Sequence, residues 1–144
     1  MRLFTCLVLL GLALVCGCSK GKHYVRGQGD VGQFILQHAV SFGGHPVATN
    51  SLPSIGGDWR YVQDDYGVGI LLASSQYQHV QDFVRAAFGP PSSSAGWSVR
   101  DFGVAIMVQQ ADSDTVVGIY PPMSDEKRAQ GIREMTHDME KCTR

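Results

Sequence analysis

Charge is scarce in this sequence and evenly split. Of 144 residues, 12 are Lys or Arg and 13 are Asp or Glu, for a formal net charge of −1. That balance excludes the basic footprint by which proteins hold nucleic acid, and it excludes a long acidic tail. Metal-binding spacing is also missing. The five histidines, His23, His38, His45, His79 and His137, form no H-x-x-x-H and none accompanies a C-x-x-C, so a zinc site has no ligand set to stand on. No P-loop, nucleophile elbow or dinucleotide fingerprint is found. Gly67-Val68-Gly69 comes nearest, but no third glycine follows it. The longest apolar run, Leu3 to Cys16, has 14 residues. As a helix it would span ~21 Å, against ~30 Å for a hydrocarbon core, so no transmembrane helix is expected.

What is present is a chain with 44% apolar residues. That is too many for disorder throughout, and the length suits one domain.

The first residues belong to a separate regime. Arg2 is the one charge ahead of the apolar run, and a positive start followed by a short apolar core marks a secretory signal. The run ends in Val15-Cys16-Gly17-Cys18-Ser19. This ending resembles the lipobox of bacterial lipoproteins: an aliphatic residue, a small one, Gly or Ala, then the cysteine to be modified. The resemblance covers about the first 19 residues. It implies cleavage before Cys18, a diacylglyceryl thioether on its sulfur, and acylation of its new amine by a chain such as palmitate. Cys16 stands where the family usually has Leu, Ala, Ser or Thr, and is small enough for the place. Ser19 follows where an inner-membrane retention signal would typically be Asp, so the resemblance implies the outer membrane, facing the periplasm. An ordinary cleaved signal with a chance cysteine is the competing reading.

Processing of that kind changes the counts. Cys6 and Cys16 leave, Cys18 carries lipid, and Cys142 is the remaining thiol, so no disulfide is expected within the mature chain. Loss of Arg2 takes the 12 basic residues to 11 against 13 acidic ones, a net charge of −2. The expected organisation is a signal peptide at 1–17, lipidated Cys18 with a flexible tether to 29, and one domain at 30–144.

Along that domain, Asp30 caps a helix over about 30–42 with Phe34, Ile35, His38, Ala39 and Phe42 on one face. Strands are expected at Trp59–Gln63 and Val68–Ala73, joined by the turn signal Asp64-Asp65-Tyr66-Gly67. A second helix starts at a Ser75 cap and carries Tyr77, Val80, Phe83, Val84, Ala87 and Phe88 as its apolar stripe, with Gln81 facing water. Gly89-Pro90-Pro91 ends it. One strand is expected near 99–109 and another at 115–120. Ser124 caps a last helix with a thin stripe of Ile132, Met135 and Met139, weakened by Gly131. The fold class predicted is α+β: a two-layer sandwich of about four mainly antiparallel strands, in the order α-β-β-α-β-β-α. As topology alone this is similar to roadblock/longin-like and profilin-like domains, which carries no function.

Few residues suggest chemistry. Asp64-Asp65 reads as a turn rather than an acid–base pair. Asp112-Ser113-Asp114 begins like a calcium loop, but Val116 occupies the third ligand position. Trp59, Tyr61, Tyr66 and Trp97 stand out as candidates for ligand or partner binding. They are expected either to line a cleft under the 89–97 loop or to cap a small core. The leading expectation is a membrane-anchored envelope lipoprotein with a non-catalytic protein-interaction or assembly module. Cys18 would engage membrane lipid, the protein partner is unidentified, and no catalytic residue, cofactor, metal or nucleic acid is expected. The alternatives are a small-ligand-binding module using the aromatic cleft and a divergent hydrolase using Asp58, Asp101 or His45.

Overall fold

The computed structural model describes residues 24–92, 97–111 and 113–142. The signal peptide, the lipobox with Cys18, and most of the 92–96 loop lie outside the described residues. The elements run β1 (Val25–Arg26), α1 (Val31–Ser41), β2 (Trp59–Gln63), β3 (Val68–Ala73), a 3-10 turn (Ser74–Gln76), α2 (Tyr77–Phe88), β4 (Trp97–Asp101), β5 (Val104–Ala111), β6 (Asp114–Tyr120) and α3 (Asp125–Cys142). The strands form one antiparallel sheet in the order β1-β2-β3-β6-β5-β4. The α+β class is as expected, but the sheet has six strands rather than about four.

Both extra strands have a local physical cause. The stretch expected as one strand near 99–109 is a hairpin, folded at Phe102-Gly103 with φ of 49° and 83°. Two successive left-handed residues make the tight turn whose twist matches paired strands. Asn-Gly is the usual signal for such a turn, and Phe at its first position hides it. The other addition is β1, within the stretch assigned to the tether. Val25 pairs with Tyr61 and Arg26 with Arg60, and Gly27 N–H donates to the Trp59 carbonyl at 2.8 Å. Gly27 then lies flat against the Trp59 indole, where an added Cβ would sit 2.2 Å from ring atoms. Residues 24–29 therefore belong to the fold.

Alternation along the strands sends side chains to two unequal cores. Val68, Ile70 and Leu72 of β3, Val104, Ile106 and Val108 of β5, and Val117 and Ile119 of β6 join a large cluster with α1 and α2. Val31, Ile35 and Ala39 of α1 and Val80, Phe83, Val84 and Ala87 of α2 fill it, all fully buried. Ala105 and Met107 of β5 and Tyr120 of β6 meet Met123 and Ile132 on the other face. Helices thus flank both sides of the sheet, where a two-layer sandwich was expected.

The helix ends follow their sequence. Asp30 caps α1, its Oδ1 accepting from Gly32 N–H at 2.7 Å, while its Oδ2 accepts from the Ser54 hydroxyl at 2.8 Å. One carboxylate thereby starts a helix and pins the 43–57 loop beside it. Ser75 does not cap α2; it sits within the 3-10 turn, and α2 begins without a side-chain cap. Gln81, expected in water, is buried. Ser124 Oγ accepts from Lys127 N–H at 3.2 Å at the start of α3.

Candidate functional site

The four aromatic candidates are not one group. Trp59 opens β2 and is 3% exposed, part of the large core, with Nε1–H donating to the Gly29 carbonyl at 3.0 Å. Tyr61 lies two residues on, on the same face, with ring centroids 5.8 Å apart. Phe34 of α1 stacks between them, at 4.7 Å from Trp59 and 4.8 Å from Tyr61. His38 extends the array from Phe34 at 4.2 Å, and Phe42 meets His38 edge-on at 6.4 Å. The helical spacing of Phe34, His38 and Phe42 was visible in the sequence. Their meeting with Trp59 and Tyr61 depended on which strand α1 covers.

Tyr66 lies elsewhere. It sits in the β2–β3 turn against α3, in the place that a Cβ of Gly131 would fill at 2.8 Å, and its hydroxyl donates to Glu134 at 3.4 Å. Gly131 is therefore the seat for a ring rather than a weak point in α3. Trp97 opens β4, four strand positions from β2. At ~4.8 Å per position that separates the two strands by ~19 Å. The structure brings Trp59 and Tyr61 together and leaves Tyr66 and the strand of Trp97 apart from them.

The candidates for hydrolytic chemistry also disperse. Asp58 forms an exposed ion pair with Arg26 at 2.9 Å. Asp101 and His45 are neighbours, but the backbone N–H of His45 holds the carboxylate, while the imidazole stacks on Phe102 at 4.2 Å. Asp64 works as a turn residue: its Oδ1 accepts from Tyr66 N–H at 2.7 Å and Gly67 N–H at 2.9 Å. Among the described residues no group of three or more His, Cys, Asp or Glu is placed to hold a metal ion.

Sequence reasoning missed a polar cluster on the α3 face. Arg128 is 7% exposed; its Nη1 donates to Asp125 at 2.8 Å and its Nη2 to the carbonyls of Gly103 at 3.3 Å and Met123 at 3.4 Å. Arg100 reaches Asp125 at 3.2 Å from β4. Close by, burial pushes the Tyr120 phenol well above its ordinary value, with the Asp64 carboxylate and Tyr24 adding to the rise and Arg128 opposing it. The phenol therefore stays neutral and can donate a hydrogen bond. These contacts strap α3 to the β4–β5 turn through Arg128 and to the β2–β3 turn through Tyr66. Arg128 sits at no apolar spacing that a sequence scan would flag.

Chain direction gives the domain two distinct ends. The β2–β3 turn, the β4–β5 turn and the exit from β6 fall at one end of the sheet, and β1 is entered from that side, with Val25 level with the middle of β2. The 3-10 turn and the β5–β6 turn fall at the other. The architecture defines an α+β domain with one antiparallel sheet and helices on both faces. Compared with known proteins, the chain matches no family model, no curated protein and no solved structure.

Proposed function

We propose that this chain is a lipid-anchored envelope protein, held to the outer membrane through Cys18, whose domain acts by binding a protein partner rather than by catalysis. The observation that carries the anchor is the apolar run ending in Val15-Cys16-Gly17-Cys18, and the short stretch behind it says where the domain would lie. The folded region starts by Tyr24, six residues after Cys18, and six residues reach ~20 Å at full extension. A lipid on Cys18 would hold the sheet beside the bilayer rather than on a long arm. More than one acyl chain gives stable anchoring without a basic patch, which accords with the near-neutral charge. No helix among the described residues is long and apolar enough to cross a membrane. A binding role is the reading to test because the hydrolase candidates do not converge: Asp58 pairs with Arg26, and Asp101 meets His45 through the His45 backbone N–H rather than its ring.

Cys18→Ser tests the anchor. It is expected to abolish incorporation of labelled fatty acid and to move the protein out of the membrane fraction. Unchanged fractionation would overturn the reading. Crosslinking of the anchored protein in intact envelopes tests the binding role, with a discrete protein adduct as the expected result.

A second reading is favoured by the ring array of Phe34, His38 and Tyr61, which are only partly buried. In it, a small aromatic or apolar ligand stacks on those rings beside Trp59. A change in Trp59 fluorescence on titration with such a ligand, lost in Phe34→Ala, would carry that reading over the first.

A further inference from the structure

The large hydrophobic side chains left exposed are unevenly distributed. Among the described residues they are Val25, Val40, Val47 and Phe102, at 50%, 48%, 76% and 71% exposure. Phe102 forms the tip of the β4–β5 turn, and Val25 lies in edge strand β1, opposite Tyr61 in the middle of β2. Val40 is in the last turn of α1, and α1 leads directly to His45, whose ring stacks on Phe102. Val47 follows, its N–H donating at 2.7 Å to the Ala87 carbonyl in the last turn of α2. The opposite end, with the 3-10 turn and the β5–β6 turn, has no such residue among those described.

Phe102 is the sharpest of the four. Its φ of 49° places a bulky residue in the left-handed region, which costs free energy and is normally left to Gly, Asn or Asp. Burial does not offset that cost, because the ring is mostly in water. A strained backbone at a residue whose side chain packs little is a reason to look for an external contact.

We propose that this end of the domain rests on the bilayer that carries the Cys18 lipid, with Phe102 inserted into its headgroup region. The inference rests on the lipid-anchor reading and adds an orientation to it. Two observations select a bilayer as the occupant. Strand β1 is entered from the side of this end, and Cys18 precedes Tyr24 by six residues, ~20 Å of contour length. The tip of Phe102 and the entry strand β1 lie on opposite edges of the sheet, five strand positions apart, or ~24 Å. Two contacts so far apart stop the swivel that one lipid alone would leave, and only roll about the line joining them stays free. The contact is apolar rather than Coulombic. Charge of neither sign prevails here, since Asp64, Asp65, Asp101, Asp125 and Glu126 are met by Arg100, Lys127 and Arg128 and by Lys20, Lys22 and Arg26 in the stretch that follows Cys18.

The test uses the full lipidated protein in phosphatidylcholine vesicles, in a Cys142→Ser background. A nitroxide is attached through Phe102→Cys or, at the opposite end, through Ser113→Cys. The expected result is a several-fold loss of collision with an aqueous nickel chelate at position 102, with oxygen collisions retained, and free access to both at position 113. Equal aqueous access at both positions, with the protein floating with the vesicles, would overturn the orientation and leave the anchor standing. Failure to float would remove the anchor reading and the orientation with it. A second variant, Phe102→Asn, is expected to raise the melting temperature of the unlipidated Cys18→Ser protein, because Asn suits the left-handed region. A lower melting temperature would show that the ring serves the domain's own packing, and would count against the proposal.

Discussion

The two faces of the sheet are built on different principles. On the α1–α2 face, aliphatic side chains from four strands and two helices interdigitate in a core that holds twenty buried residues among those described. On the α3 face, a cluster of two buried residues, Ala105 and Tyr120, supports three half-buried ones, Val62 and Val116 are buried outside that cluster, and polar straps from Arg128 and Tyr66 tie the helix down. The first face draws its stability from area removed from water, which is non-directional and tolerant in detail. The second depends on a few oriented contacts, which fail singly when one partner is removed.

The largest loss is expected on the aliphatic face. Phe83→Ala, at 0% exposure in its centre, is expected to cost ~3–5 kcal/mol, read as a lower urea midpoint. On the α3 face the equivalent lesion is overfilling. Gly118→Ala places a Cβ 2.6 Å from the Tyr120 ring and is expected to cost ~1–3 kcal/mol by displacing that ring. If Gly118→Ala proved the more damaging of the two, the ranking of the faces would be wrong. Asp30→Ala, which removes the α1 cap and its bond to Ser54, is expected to cost ~1 kcal/mol in the same assay. Tyr120→Phe separates the faces by pH. Because the folded phenol titrates above its unfolded value, its neutral form stabilises the fold fully below pH ~10 and loses that contribution as pH rises beyond it. The wild-type protein is therefore expected to lose stability above pH ~10 more steeply than Tyr120→Phe. The smallest effect belongs to neither face: Arg26→Ala, breaking an ion pair with both side chains more than three-quarters exposed, is expected to change stability by only ~0–1 kcal/mol.

The aliphatic face was the part legible in the sequence. Strands β2 and β3 begin and end where alternation and the Asp64–Gly67 turn placed them, and Asp30 caps α1 as its position suggested. Local pattern decides these features, so local reading reached them. The α3 face was less legible because its contacts join residues distant in sequence. Nothing near Gly131 announces that Tyr66 will occupy its missing side chain. Nothing near Arg128 indicates that the Gly103 carbonyl will receive it. The split between β4 and β5 escaped because Phe102 stands in a turn position where Phe is rare. Two residues, Val25 and Arg26, are too short a run to register as a strand. The aromatic candidates show the same limit: residue type marked Trp59, Tyr61, Tyr66 and Trp97 as notable, but only strand order could say which of them meet.

The central pairing of β3 with β6 carries a kinetic consequence. The sheet is two ribbons, β1-β2-β3 and β6-β5-β4, and this one seam joins them. Each ribbon contains a tight hairpin that closes locally, whereas across the seam Thr115 donates to the Ala73 carbonyl 42 residues away. Closing a loop of that length costs entropy before the contacts compensate for it. The expected order of assembly is therefore hairpins first and seam last. Stopped-flow kinetics of a seam variant such as Thr115→Val should show faster unfolding with nearly unchanged refolding. Slowed refolding instead would place the seam in the folding nucleus. A chain that completes its core only at the last pairing keeps both β3 and β6 open as edges until then, and that is the interval in which another chain could take the place of either ribbon.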